Sequence, residues 1–286
     1  FTLITAVVGA SNDGKSFISY PGGKCYMFRV TLRDKAESPY SLDKPRLFLS
    51  EAALKRRERQ HLQLDSTDLP VSPTYIQKIR KEGGNVVAIS KWNNSVLVRG
   101  NNRQTLEDLK VLPFVRDSKL VFTSPDSIRP LSQRVRYRPD LQVLDSTIHD
   151  YYGMGKAQLE NLNGRKLHNM GFQGQGMTIA VLDAGFMNVD KMAAFKNVNI
   201  VGTHNFVAGY DADVYKEMDH GTKTLSVIAV NQPSTFVGSA PKASFWLLRS
   251  EDYLTESSAE EDYWIAAAEF ADSVGVDVIS SSLGYH

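Results

Sequence analysis

Apolar positions in the first part of the chain come in short alternating stretches, and in the second part they run together. Cys25 to Leu32, Cys-Tyr-Met-Phe-Arg-Val-Thr-Leu, alternates as a half-buried strand does. Ser50-Glu51 opens a helical stretch that continues to about Gln60. Ser72, with Pro73 at the first helical position, opens a second that ends at Gly83-Gly84. Residues 85–92 and 95–100 read as strands joined by Asn93-Asn94, a two-residue turn of residues that tolerate positive φ. A helix over 103–111 and a strand from Val115 to Phe122 complete a β-α-β-β-α-β series, which predicts a small ferredoxin-like α+β sandwich.

Beyond residue 150 the strands read as buried on both faces. Leu159 to Met170 predicts a helix with Leu159, Leu162 and Leu167 near one face, followed by a turn, Gly171-Phe-Gln-Gly-Gln-Gly176. These glycines precede a strand, whereas a dinucleotide fingerprint follows one, so they do not signal a nucleotide. The strand itself, Met177-Thr-Ile-Ala-Val-Leu-Asp183, is an apolar run that stops at an acid followed by Ala-Gly. Asp219-His-Gly-Thr222 then opens the helical run Leu-Ser-Val-Ile-Ala-Val. Ser244 to Arg249 and Val276 to Ser281 are further strands. Between them Glu260 to Ser273 carries Tyr263, Trp264, Ala267, Ala268 and Phe270 at core helical spacing. Strand-helix-strand alternation predicts an α/β unit with a mostly parallel sheet flanked by helices.

The segment 123–150 joins the two parts. Its Ser-Pro, Arg-Pro and Arg-Pro-Asp steps argue against regular structure and predict a linker, with Arg134, Arg136 and Arg138 interspersed. At 286 residues the chain is long enough for two domains, and no apolar run is long enough to span a bilayer. Charge divides along the same line: residues 1–150 carry 24 Lys and Arg against 16 Asp and Glu, and residues 151–286 carry 9 against 16. Two halves of opposite sign suit two domains that attract each other. A basic first half also raises RNA binding, but neither aromatic sheet signature of an RNA-recognition module is legible, and Lys55-Arg-Arg-Glu-Arg59 reads as the solvated face of a helix. The single cysteine, Cys25, sits in the alternating strand and reads as a packed apolar residue.

Candidate chemistry concentrates at two places. In open α/β sheets reactive groups sit just beyond the carboxyl ends of strands, which is where Asp183 falls. His220 opens a helix with a glycine behind it, where backbone must pass closely. A phosphoaccepting receiver domain also places an aspartate at a strand end, but it would want an acidic pair after its first strand, and none is seen. Asp211, Asp213, Glu217 and Asp219 form an acidic loop ahead of His220 that could hold a cation, although a solvated loop is the simpler reading. No metal-ligand set or cofactor fingerprint is legible, and whether calcium binds cannot be read from the sequence.

Val-Leu-Asp183-Ala-Gly-Phe and Asp-His220-Gly-Thr-Lys-Thr-Leu-Ser-Val-Ile-Ala-Val resemble the aspartate and histidine blocks of the subtilisin-like serine proteases, the subtilases. Val276 to Gly284 is similar to the strand of that family that lies along the substrate backbone. The three blocks occur in the family's order, over about a hundred residues. The resemblance implies a secreted serine endopeptidase with Asp183 and His220 as two members of a triad. The serine and the oxyanion-hole asparagine would lie past His286, so residues 1–286 are expected to be inactive as they stand. It further implies substrate-binding roles for Ser282, Leu283 and Gly284, which would pair with an extended peptide, and for Ser250 and Glu251 as one wall of the cleft.

Residues 11–122 would be an inhibitory, folding-assisting prodomain, an intramolecular partner. Residues 123–150 would be a linker cut by the enzyme between Thr123 and Tyr151, unless its arginines serve a trypsin-like processing enzyme. Residues 151–286 would be the first part of the catalytic domain. Val8-Gly9-Ala10 resembles a signal-peptide cleavage site, making residues 1–10 a signal remnant, with a first strand as the alternative. Polypeptide substrates, an exported and bacterial setting, no nucleic acid and no membrane span complete the expectation. A catalytically dead subtilase kept as a binding module is the rival reading.

Overall fold

A computed structural model describes residues 17–128 and 150–284; the expected signal remnant and most of the expected linker lie outside the described residues. In the first unit four strands, β1 (Tyr26–Leu32), β2 (Asn85–Ser90), β3 (Ser95–Gly100) and β4 (Val115–Thr123), form an antiparallel sheet in the order β2-β3-β1-β4. That is the ferredoxin-like order the sequence predicts. Helices α1 (Glu51–Gln60), α2 (Pro73–Lys81) and α3 (Arg103–Asp108) accompany it. Ser50 caps α1 by accepting from the Ala53 N–H at 3.1 Å, and Ser72 caps α2 behind Pro73. The helix expected over 103–111 tightens after Asp108 into a 3₁₀ turn, Leu109–Val111.

Alternation in β1 sends Phe28, Val30 and Leu32 to one face, where they pack with Tyr75, Ile76 and Ile79 of α2 and Leu106 of α3. The other face, with Cys25, Met27, Leu97 and Val121, meets the second unit.

The second unit holds helices α4 (Lys156–Asn161), α5 (Gly164–Asn169), α6 (His220–Ala229) and α7 (Ala259–Val274). Its main strands are β5 (Thr178–Asp183), β6 (Asn199–Asn205), β9 (Ser244–Arg249) and β10 (Val278–Ser281), all parallel, in the order β10-β5-β9-β6. The short β7 (Asn231–Gln232) and β8 (Phe236–Val237) form a separate hairpin. Ile179, Val181, Phe245 and Leu247 pack under α6, and Ala180, Leu182 and Leu248 pack under Ala267 and Ala271 of α7. Burial on both faces accounts for the unbroken apolar run of β5. The helix expected from Leu159 to Met170 is two short ones, broken at Asn163 in the left-handed region (φ +55°), and only Leu159 is buried while Leu162 and Leu167 are exposed.

Helix α7 is shared between the units. Ala267 and Ala271 face the parallel sheet, while Ala259, Tyr263 and Ala266 face the antiparallel one. Its carboxylates complete the join. Arg29 of β1 donates to Asp262 at 2.8 Å and to Glu261 at 2.9 Å. Glu269 accepts from Ser90 Oγ at 2.6 Å and from the backbone N–H groups of Lys91 and Trp92 at 2.7 and 3.0 Å. This contact corrects the expected hairpin: β2 stops at Ser90, and the turn spans Lys91 to Asn94 instead of Asn93-Asn94, because its N–H groups are held by a carboxylate from the other unit.

The charged run on α1 is only in part a solvated face: Lys55, Glu58 and Arg59 are exposed, while Arg56 and Arg57 turn into the join. Arg56 and Arg57 bind Asp272, Arg57 also binds Asp68 at 2.6 Å, and Arg59 reaches Asp277 at 2.5 Å. Gly275 closes α7 with φ +88°, and a Cβ there would lie 2.6 Å from Ala52 Cβ on α1.

Burial would raise the Asp272 carboxyl, yet hydrogen bonding from Arg57 and the charge of Lys91 outweigh it and hold the group below the ordinary range. Its stabilising effect is therefore complete above the unfolded aspartate value of about 4 and is lost as pH falls through the lower folded value. Asp272→Asn removes the charge partner of Arg56 and leaves Arg57 with Asp68 alone, and it should cost roughly 3 kcal/mol in denaturant unfolding at neutral pH. The gap to the wild type should close as both proteins are titrated below about pH 4.

Candidate functional site

The carboxyl ends of β10, β5 and β9 lie side by side, with Leu182 level with Ser281 and Asp183 level with Arg249. Asp183 ends β5 and is completely buried. Its Oδ1 accepts from the Ala184 N–H at 2.7 Å and lies 2.8 Å from His220 Nδ1, and its Oδ2 accepts from Thr224 Oγ1 at 3.2 Å. An ionised carboxylate only accepts, so Nδ1 carries the proton and Nε2 keeps its lone pair. The His220 side chain is 51% exposed, and among the described residues no hydroxyl hydrogen-bonds to Nε2. The arrangement is a tautomer-locked base turned toward solvent.

Close approach of α6 to β5 makes this pair possible. A Cβ at Gly221 would lie 2.5 Å from the Gly185 carbonyl oxygen and 2.9 Å from Asp183 Cβ, so only glycine lets the helix begin here. Thr222 Oγ1 donates to the Met187 carbonyl at 2.9 Å and pins the same turn.

Ser250 and Glu251 follow β9 directly. The Ser250 N–H donates to the Asp183 carbonyl at 3.0 Å, which fixes this segment against the pair. Glu251 is half-buried; burial raises its carboxyl above the ordinary range, the negative Asp183 adds to the rise, and His220 opposes it. Ser282, Leu283 and Gly284 continue past β10 on the other side of β5 and hydrogen-bond to neither Asp183 nor His220. All seven sequence-predicted residues thus gather at the strand ends, with only Asp183 and His220 in direct side-chain contact.

Thr224 and Arg249 were not foreseen as contributors, and Asp252, at the end of the expected cleft wall, has a further role. Thr224 lies one turn after His220, a spacing from which it could have been found. Arg249, a charge ending an apolar strand, is wholly buried; it binds Glu217 at 2.7 Å, and its guanidinium lies 4.2 Å from the Tyr210 ring and 5.3 Å from that of Tyr253. Asp252 accepts from Tyr210 and, across the units, from Tyr20 at 2.8 Å. The acidic loop is occupied by ion pairs: Asp211 with Lys216 and Asp219 with Lys223, each at 2.8 Å, and Glu217 with Arg249. Among the described residues no three His, Cys, Asp or Glu side chains are gathered to hold a metal ion.

Both units resemble known proteins. Residues 27–137 match the peptidase S8 propeptide domain, Bacteroidota, and residues 174–286 match the subtilase family. Subtilisin E of Bacillus subtilis (strain 168) and subtilisin J of Geobacillus stearothermophilus are each 24% identical over 207 residues, which is 72% of this chain and 46% of theirs. The chain therefore spans about half the length of the curated relatives it matches. Among solved structures, the epidermin leader peptide processing serine protease of Staphylococcus aureus superposes with a TM-score of 0.53 at 15% identity, covering 91% of this chain and 50% of that one, and shows the same fold.

Gly221→Ala forces α6 away from β5. It should destabilise the protein by about 1–3 kcal/mol in denaturant unfolding and open the His220–Asp183 contact. Loss of the hydrogen-bonded Nδ1 proton resonance in the folded variant would report that opening.

Proposed function

The chain belongs to the subtilase family and carries an N-terminal propeptide, and from that premise we propose that it is the leading part of a secreted serine endopeptidase. The observation that carries the reading is the 2.8 Å contact of His220 Nδ1 with buried Asp183, which leaves Nε2 open. A serine hydroxyl is a poor nucleophile at neutral pH and needs a base near pH 7. In this reading His220 takes the proton of a serine outside residues 1–286, then returns it to the leaving amine. Asp183 keeps the imidazole in one tautomer and stabilises the imidazolium, while Thr224 and the Ala184 N–H hold the carboxylate in place.

The substrate is a polypeptide laid out between two walls. Ser282, Leu283 and Gly284 offer backbone groups on one side, which makes recognition largely independent of sequence there. Ser250 and Glu251 form the other side. Residues 11–122 act as the inhibitory prodomain: their free sheet face seats on α7, and β4 leads through Ser124 and Ile128 toward the segment that would enter the cleft. Self-cleavage between Thr123 and Tyr151 then releases the mature enzyme, and residues 151–286 begin its catalytic domain. No helix among the described residues is long and apolar enough to cross a membrane. Export from a bacterial cell is the setting proposed for it.

In the full-length protein His220→Ala should reduce self-cleavage within residues 123–151 by at least about 10³-fold. A serine-directed fluorophosphonate should label the wild type and should not label residues 1–286 expressed alone. Undiminished cleavage by a purified His220→Ala protein would overturn the assignment. Absence of labelling and cleavage in the full-length wild type would favour a catalytically dead binding module.

A further inference from the structure

One segment of the first unit contributes little to the fold of that unit. A strand and the helix after it are ordinarily joined by a short connection of about 2–6 residues. Between β1 and α2 the chain instead runs through residues 33–72, which include α1. No residue of α1 enters the apolar core of the first unit, and α1 packs on α7 of the second.

What this segment grips is the end of the parallel sheet remote from the site. The Ser50 N–H donates to the Ser273 carbonyl at 3.0 Å, Arg56 and Arg57 bind Asp272, and Arg59 binds Asp277. Asp277 precedes β10 and is itself fixed: its Oδ2 accepts from the Thr178 N–H at 3.0 Å, and its own N–H donates to the Thr178 carbonyl at 2.9 Å. Thr178 begins β5 and Asp183 ends it, so about 17 Å of strand separates the grip from the Asp183–His220 pair.

At Gly275 the fit is steric as well, since a Cβ there would lie 2.6 Å from Ala52 Cβ and 2.7 Å from the Ala53 nitrogen. Elsewhere the segment meets α7 loosely: Tyr40, Phe48 and Pro70 face Ala266 and Phe270 across a cleft of about 360 Å³. Polar contacts therefore dominate this hold, whereas the sheet face around Met27, Leu97 and Tyr263 is joined by apolar packing.

We propose that residues 33–72 are a separate docking element whose partner is the C-terminal turn of α7 together with Asp277, and that this contact keeps the first unit on the second after the chain between them is cut. Two contacts made by one folded unit support each other: while either is seated, the groups of the other stay close to their partners. Cutting the connecting segment removes neither contact, so release of the first unit waits on the loss of this grip. The inference needs two units and a cut between them, and it does not need the proton-transfer chemistry of the protease reading.

The test uses the full-length protein carrying His220→Ala, so that it does not cut itself, with the recognition sequence of a site-specific protease inserted within residues 129–149. After that cut, dissociation of the first unit is timed by gel filtration at intervals following dilution. With the docking element intact the two parts should elute together at about 0.05 M salt, and should separate about tenfold faster at about 0.5 M. Arg56→Gln combined with Arg59→Gln should raise the low-salt rate by about thirtyfold or more. Lys55→Gln, on the exposed side of the same helix, should leave it unchanged.

Gly275→Ala should also speed release, by about tenfold or more, because it lifts α1 from its seat. That variant leaves the first unit's sequence untouched, so faster release cannot come from unfolding of the first unit. Separation of the parts as soon as the unsubstituted docking element is cut free, or a rate in the double arginine variant within about twofold of it, would overturn the inference. If the variants do not fold, a dissociation rate of the unsubstituted pair that salt does not change would overturn it. None of these results bears on the protease reading, which is tested by self-cleavage of the protein that retains His220.

Discussion

Helix α7 is buried on two sides at once, and most of the architecture follows from that constraint. Ala259, Ala266, Ala267 and Ala271 keep most of its two contact faces narrow, and Tyr263 fills the face toward the antiparallel sheet. Between those faces it carries acids, and each acid that enters the join is met by a donor from the first unit: Arg29 at Asp262, the hairpin turn at Glu269, and the α1 arginines at Asp272. Removing one partner from such a set is far costlier than the set's net contribution, so the docking is selective for this geometry more than it is strong.

The same principle separates the carboxylates of α7 and the adjoining wall. Asp272, with three cations around it, is held below its ordinary range, whereas burial and the nearby Glu256, Asp252 and Glu251 push Glu260 up to about 9. Glu269 is raised by burial despite three good donors. These carboxyls belong to a short stretch of sequence, and their protonation is set by what packs against them.

The join also reaches the Asp183–His220 pair. Tyr20 precedes β1 in the first unit and donates to Asp252, three residues past the end of β9. Asp252 in turn holds Tyr210, whose ring covers Arg249, and Arg249 is level with Asp183 across the sheet. A continuous set of contacts thus links the docked first unit to the wall that carries Glu251.

Much of this was legible in the sequence. Periodicity located the strands and the principal helices, because alternation and unbroken apolar runs report directly on burial of one face or two. Ser72-Pro73 marked the start of α2 for the same local reason. Asp183 and His220 were legible because a polar residue ending an apolar strand and a His-Gly pair opening a helix are exceptional on their own.

What tertiary structure decided were matters of partnership. The turn at residues 91–94 widened because Glu269, far away in sequence, holds its N–H groups. Arg56, Arg57 and Arg59 became a clamp because Asp272 and Asp277 arrived opposite. Asn163 broke a helix that periodicity would have continued. Local sequence determines the form of a segment; the charge state and contacts of its side chains depend on which distant surface is folded against them.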